Sequence, residues 1–150
     1  MIRLIISDCD GVLTNGDLYY GPEGEVLKIF NVKDGTAIKD IMSSGIIFGI
    51  VSGRSSKALA FRAKELNLDF CLMGIENKAE AVRDLVSAHG LSKENVLYVG
   101  DDVNDCSARD EVGMFCAVHD ADKAVKKMAD VILKTKGGAG VFKEILNRIL

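Results

Sequence analysis

The chain has 150 residues, 48% of them hydrophobic, one proline, and 19 basic against 22 acidic side chains for a net charge of −3. That length suits about one domain with a real core, and the composition is that of a folded chain rather than a disordered one. No basic excess suggests a nucleic-acid partner, and no apolar run reaches the roughly 18 residues of a membrane span.

In chain order, the first apolar run, "RLIIS" (3–7), reads as a strand and leads straight into "DCDGVLT". Asp and Gly are ordinary turn residues, yet two acids one residue apart at a strand end need a reason. The start, "MIRLIISDCD", has too short an apolar run and too early an acid pair for a secretory signal. Next, "DLYYGPEGEVLKIFNVKDG" places two β-prone stretches about the turn "GPEG" and predicts a hairpin, Leu18–Tyr20 against Val26–Phe30. It forms an insertion over about 17–31. Further strands are expected at 46–52, 70–73, 95–100, 114–118 and 131–133. Helices are expected near 35–44, 55–67, 78–89, 104–110, 121–128 and 140–149. Ala79, Val82, Leu85 and Val86 share one face at helical period. Near-continuous apolar strands alternating with helices imply one α/β domain over 1–150, a doubly wound, Rossmann-like parallel sheet with the hairpin as its only insertion. Large cap domains have no room.

Four cysteines, Cys9, Cys71, Cys106 and Cys116, show neither CxxC spacing nor a histidine at zinc-site distance, so free thiols and a reducing cytoplasm are expected. His89 precedes Gly90 and reads as a helix-end residue. His119 follows a strand but has no partner at triad spacing. Cys9, between the two acids, alternates away from them and reads as packing.

In open α/β sheets, ligands bind beyond the carboxyl ends of the strands. The first strand is followed by Asp8 and Asp10, and the second by "SGRSS" with Ser52 and Arg54. The third is followed by Lys78 at a helix start, and the fourth by "GDDVND" with Asp101, Asp102 and Asp105. Carboxylates from strands one and four form a hard oxygen cage suited to Mg²⁺. Asp8 is placed to attack phosphorus and Asp10 to act as general acid and then base. Ser52 and Lys78 bring a hydroxyl and a cation to phosphoryl oxygens whose charge grows in the transition state.

The set "DCDGVLT", "VSGR", Lys78 and "GDDVND" resembles the four signatures of the haloacid dehalogenase superfamily, over essentially the whole chain. The resemblance implies Asp8 as nucleophile and Asp10 as acid/base. It implies Mg²⁺ held by Asp8, the Asp10 backbone carbonyl and Asp101, with Asp102 and Asp105 as supporting or alternative carboxylates. "FNVKDG" after the hairpin, "SGR" and "GGAGVFKEIL" resemble the capless 3-deoxy-D-manno-octulosonate 8-phosphate phosphatases and their relatives acting on nonulosonate 9-phosphates. That likeness implies a sugar-acid phosphate substrate near Asn31, Val32, Lys33, Asp34, Gly35, Lys39, Arg54, Arg62 and Lys78. Arg54 after "SG" is similar to the octulosonate branch, whereas "GVFKE" departs from its common "GAVRE" and is the form of the nonulosonate branch. Intact acids argue against an idle homologue. The spaced acids, and Lys78 after the third strand, argue against a phospho-receiver module. The resemblance also points to a homotetramer. Leu18, Tyr19, Tyr20, Val26, Ile29 and Phe30 are more apolar than a lone ribbon can bury. They are expected to meet in a neighbour's hairpin, the alternative being a flap folded onto its own sheet. The glycines of "KGGAG" (136–140) are expected to make a flexible hinge for the C-terminal segment.

Overall fold

The computed structural model describes residues 1–150. Its centre is β1 (Leu4–Ser7), whose four residues are all buried. A strand buried on both faces must be apolar throughout, which "LIIS" nearly is. On one side β1 pairs with β4 (Ile47–Val51) and through it with β5 (Phe70–Leu72). On the other it pairs with β6 (Val96–Gly100), then β7 (Met114–Ala117) and β8 (Val131–Ile132). The order is β5-β4-β1-β6-β7-β8, every pairing is parallel, and register runs Ile5 to Phe48 on one flank and Ile5 to Leu97 on the other. The doubly wound α/β expectation holds, with the switch in strand direction of travel at β1.

Helices α1 (Val32–Ser43), α2 (Lys57–Leu66), α3 (Lys78–Ala88), α4 (Lys123–Met128) and α5 (Val141–Arg148) supply the crossovers and cover the sheet. Their starts follow side-chain caps: Asn31 accepts from Lys33 N, Ser56 from Leu59 N and Asn77 from Glu80 N. α3 buries Val82 and half-buries Ala79, Leu85 and Val86, as the period predicts. It ends at His89, whose N–H bonds the Leu85 carbonyl, before Gly90 at φ +61°. The segment expected as a helix near 104–110 is a 3-10 helix, Val103–Glu111, opened by a capping box between Asp102 and Asp105.

The hairpin is shorter than expected: β2 (Tyr19–Gly21) pairs with β3 (Gly24–Leu27) across Pro22 and Glu23, with a bulge at Tyr19/Tyr20. Lys28 to Phe30 lie beyond the ladder, whose last pair is Tyr19 with Leu27. The four cysteines are free. No helix is long and apolar enough to cross a membrane.

Candidate active site

The loop after β1 coils on itself, with the amides of Val12, Leu13 and Thr14 converging on the Cys9 carbonyl. Buried Thr14 accepts from Gly11 N and Gly16 N. Gly11 has φ +88°, and a Cβ there would lie 1.8 Å from Asp101 Oδ2. Only glycine allows both the left-handed turn and this approach of the β6 acid to the β1 loop. From the other side, a Cβ on Gly137 would lie 1.9 Å from the Gly11 carbonyl oxygen, and Gly138 N donates to Val12 O. Gly137 and Gly138 of "KGGAG" therefore serve close packing under the β1 loop, not the flexible hinge that their composition suggests.

Asp8, Asp101 and Asp105 place carboxylate oxygens within 4.8 Å of one another. Lys78, at the first turn of α3 and fully buried, donates 2.9 Å to Asp8 Oδ1 and 2.7 Å to Asp105 Oδ1. Burial and the Asp105 charge push Asp8 up to about 6, against the pull of Lys78. Asp101 is pushed up to about 9 by burial and by the facing charges of Asp8 and Asp105. Lys78 is depressed by burial, but the two carboxylates more than offset this and hold it above its ordinary value. Asp101 Oδ1 is buried without a hydrogen-bond partner. Crowded hard oxygens, one of them orphaned, fit a divalent cation beside Asp8 and Asp101.

The two acids that sequence left unordered separate clearly. Asp105 is wholly buried and saturated, accepting from Lys78 Nζ, the Tyr98 hydroxyl at 2.6 Å and the amides of Asp101 and Asp102. Gly100 makes room for it, since a Cβ there would meet Asp105 at 2.7 Å. Asp102 is exposed, and its side chain caps Val103 N. Ser52 is buried at the end of β4, its hydroxyl accepting from Arg54 N.

Asp34 does not reach the open edge. It is buried, and its carboxylate accepts from Gly140 N and Phe142 N, capping α5 from α1. The helical rise of α1 turns that position inward, so the carboxylate orders α5 rather than facing a ligand. Asn31 caps α1, while Val32 and Lys33 are exposed. Gly35 is required by packing, since a Cβ would meet Arg62 Nη2 at 2.5 Å. Arg62 pairs with Glu65 and stacks over the Phe30 ring at 5.8 Å. With Lys39 it lines a shallow hollow between α1 and α2, away from any pairing with the acids.

Sequence reasoning missed the hairpin's share of the site. Lys28 Nζ lies 2.5 Å from Asp10 Oδ1 and 3.0 Å from Glu25 Oε2. Glu25 Oε1 accepts from the Ser56 hydroxyl, and Arg54 donates to the Tyr20 hydroxyl at 2.8 Å. The hairpin thus contacts the loops after β1 and β4 of its own domain. "EVLKIF" offers no local signal for it, because an alternating cation reads as a solvated face.

A family model described as haloacid dehalogenase-like hydrolase matches residues 74–145. The 3-deoxy-D-manno-octulosonate 8-phosphate phosphatase of Haemophilus influenzae is 40% identical over 99% of this chain and 83% of its own length. That of Escherichia coli K12 is 39% identical over 99% and 79%. The cobalt-bound structure of the deoxy-D-mannose-octulosonate 8-phosphate phosphatase from Haemophilus influenzae superposes with a TM-score of 0.96 over 99% of this chain and 87% of that one, at 40% identity. A Moraxella catarrhalis 3-deoxy-D-manno-octulosonate 8-phosphate phosphatase in complex with magnesium, phosphate and the KDO molecule reaches 0.92 over 97% and 83%, at 34% identity. With its capless sheet, its hairpin after β1 and its acids at the strand ends, the chain belongs to the haloacid dehalogenase-like hydrolases of the 3-deoxy-D-manno-octulosonate 8-phosphate phosphatase type.

Proposed function

We propose that this phosphatase hydrolyses 3-deoxy-D-manno-octulosonate 8-phosphate, with Mg²⁺ as its cation. The observation that carries the chemistry is the buried Lys78 ammonium set against Asp8 beside an orphaned Asp101 oxygen. Asp8, Asp101 and the Asp10 backbone carbonyl would hold the ion, with Asp105 fixing Lys78 and the Asp101 amide from behind. When bound, the ion neutralises charge on the phosphoryl oxygens and on the acids around them.

The chain's own residues do the rest. An Asp8 carboxylate oxygen attacks phosphorus as the bond to the sugar oxygen breaks, and Asp10 delivers its proton to that oxygen. Water then attacks the phosphorus of the aspartyl phosphate, gives its proton to Asp10, and releases phosphate and free Asp8. Ser52 and Lys78 donate to the equatorial oxygens, where a single donor contributes on the order of 10²–10³ in rate. Without Lys78, a buried carboxylate would repel an anionic ester.

The substrate reading rests on the family resemblance and on Arg54, whose guanidinium stands at the hairpin edge within reach of a sugar carboxylate. Lys39, Arg62, Asn31, Val32 and Lys33 enter the same reading as more distant contacts, completed by a neighbouring subunit. A homotetramer is supported by the outward side chains of the hairpin, with Val26 63% and Ile29 59% exposed. The reaction belongs in the cytoplasm, in keeping with four free thiols. Phosphate release against a panel of 2-keto sugar-acid phosphates, with Asp8→Asn as control, tests the reading. A kcat/KM ranking with a nonulosonate 9-phosphate first would overturn the branch and leave the phosphatase standing.

A further inference from the structure

Lys28, the first residue past the two-stranded ribbon, is buried where its neighbours are not. Its neighbours Leu27 and Ile29 are exposed, yet only 3% of its side chain is. The ammonium reaches inward, 2.5 Å from Asp10 Oδ1, and is held at its other side by Glu25 Oε2 at 3.0 Å. Glu25 is tied in turn to Ser56, the cap of α2. The second Asp10 oxygen faces Arg54 Nε at 3.8 Å, a buried N–H with no hydrogen-bond partner, whose guanidinium is anchored on Tyr20. Both oxygens of Asp10 therefore meet cations that the hairpin fixes, and nothing in the β1 loop itself holds that side chain.

We propose that Lys28 is a positioning residue for Asp10, by which the hairpin aims the proton donor at the leaving oxygen. This rests on the phosphatase reading and on Asp10 as its acid. A lysine stem buried from the ribbon, braced by a carboxylate anchored on α2, restricts Asp10 to one rotamer. A displacement of about an ångström at a proton donor already costs a large factor in rate. Lys28 acts in this proposal only through Asp10.

The reading has a signature that a purely structural role lacks. A sugar alkoxide needs a proton to depart, whereas 4-nitrophenolate leaves without one. A mispositioned acid therefore slows alkyl esters selectively, and kcat/KM reports the step up to alcohol release. For Lys28→Met, kcat/KM on the octulosonate 8-phosphate should fall at least tenfold while that on 4-nitrophenyl phosphate changes less than threefold. Assembly mass should stay as in the wild type, and Lys28→Arg should recover most of the loss. If Lys28→Met fails to fold, Glu25→Gln, which keeps the ammonium but frees its brace, should show the same selectivity at smaller size. Equal falls on both esters, or no fall on either, overturn the proposal. If the wild-type protein rejects the octulosonate ester but hydrolyses the aryl one, the substrate reading fails alone. The best primary-alcohol phosphate of the panel then takes its place in the comparison.

Discussion

The ammonium of Lys78 sits 2.9 Å from Oδ1 of Asp8, at the bottom of the site, where 1% of its side chain meets solvent. It offsets the charge of Asp8 and Asp105, and in the proposed reaction it meets phosphoryl charge. Lys78→Ala should cost on the order of 10²–10³ in kcat. It should also lose about 3–5 kcal/mol of stability, because Asp8 and Asp105 are left buried without their partner. Thermal unfolding and phosphate release measure the two losses, and a change in kcat under threefold with the fold intact would return Lys78 to a structural part.

Asp8→Asn should abolish turnover, since an amide cannot attack phosphorus. Its effect on stability should run the other way at high pH. Burial raises Asp8 to about 6 against 3.8 ordinarily, so its contribution to stability is present below about 4 and lost as pH rises through 6. In EDTA at pH 8 the variant should melt no lower than the wild type. Asp10→Asn, by contrast, should slow both the phosphorylation of Asp8 by the sugar ester and the release of phosphate, whereas with 4-nitrophenyl phosphate Asp8 should still be phosphorylated and only the release should slow.

Chelation should remove activity and Mg²⁺ should restore it. Asp8 near 6 and Asp101 near 9 must both lose protons to ligate, so binding releases protons and apparent affinity should climb between pH 6 and 9. Titration calorimetry in buffers of different ionisation heat would count those protons. An affinity flat across that range would argue that the ion sits elsewhere.

Asp34 gives a pH test away from the ion. Burial pushes its carboxyl up to about 6, against the donations of Phe142 N and Gly140 N and the charge of Arg62. Its share of stability is therefore complete below about 4 and disappears as pH rises through 6. Asp34→Asn does not titrate, so its Tm relative to wild type should improve from pH 5 to pH 8. A constant difference would mean that the group is solvated.

Charges at the exposed apolar positions of β3 and the segment after it should break the proposed assembly. Val26→Glu with Ile29→Glu should shift light scattering at micromolar protein from a tetramer toward the chain mass. An active wild-type monomer would end the tetramer reading.

The strand ends were legible because each chemical group follows an apolar run directly: Asp8 after "LIIS", Ser52 after "FGIV", Asp101 after "VLYVG". Lys78 was legible as a cation at a helix start. Two kinds of residue were not. Asp34 and Gly35 sit in the same motif as Asn31, but helical geometry turns Asp34 under α5 and Gly35 against Arg62. Lys28, Glu25, Tyr20 and Tyr98 take their roles from contacts 7 to 34 residues away, which no local pattern encodes. The order of Asp102 and Asp105 depended on a capping box in a 3-10 helix, one acid outside and the other beneath.

The contact of Gly137 with Gly11 ties the site to the order in which the chain is made. The backbone that packs beneath the Asp10 loop, 137–138, leaves the ribosome some 125 residues after that loop. At roughly 5–20 residues per second, that is a wait of several seconds or more. Central β1 likewise needs both β4 and β6 before it is paired. Such long-range closure is slow and leaves apolar strands exposed in the interval. The loop that carries Asp8 and Asp10 therefore cannot reach its packed geometry until the chain has been made through Gly138.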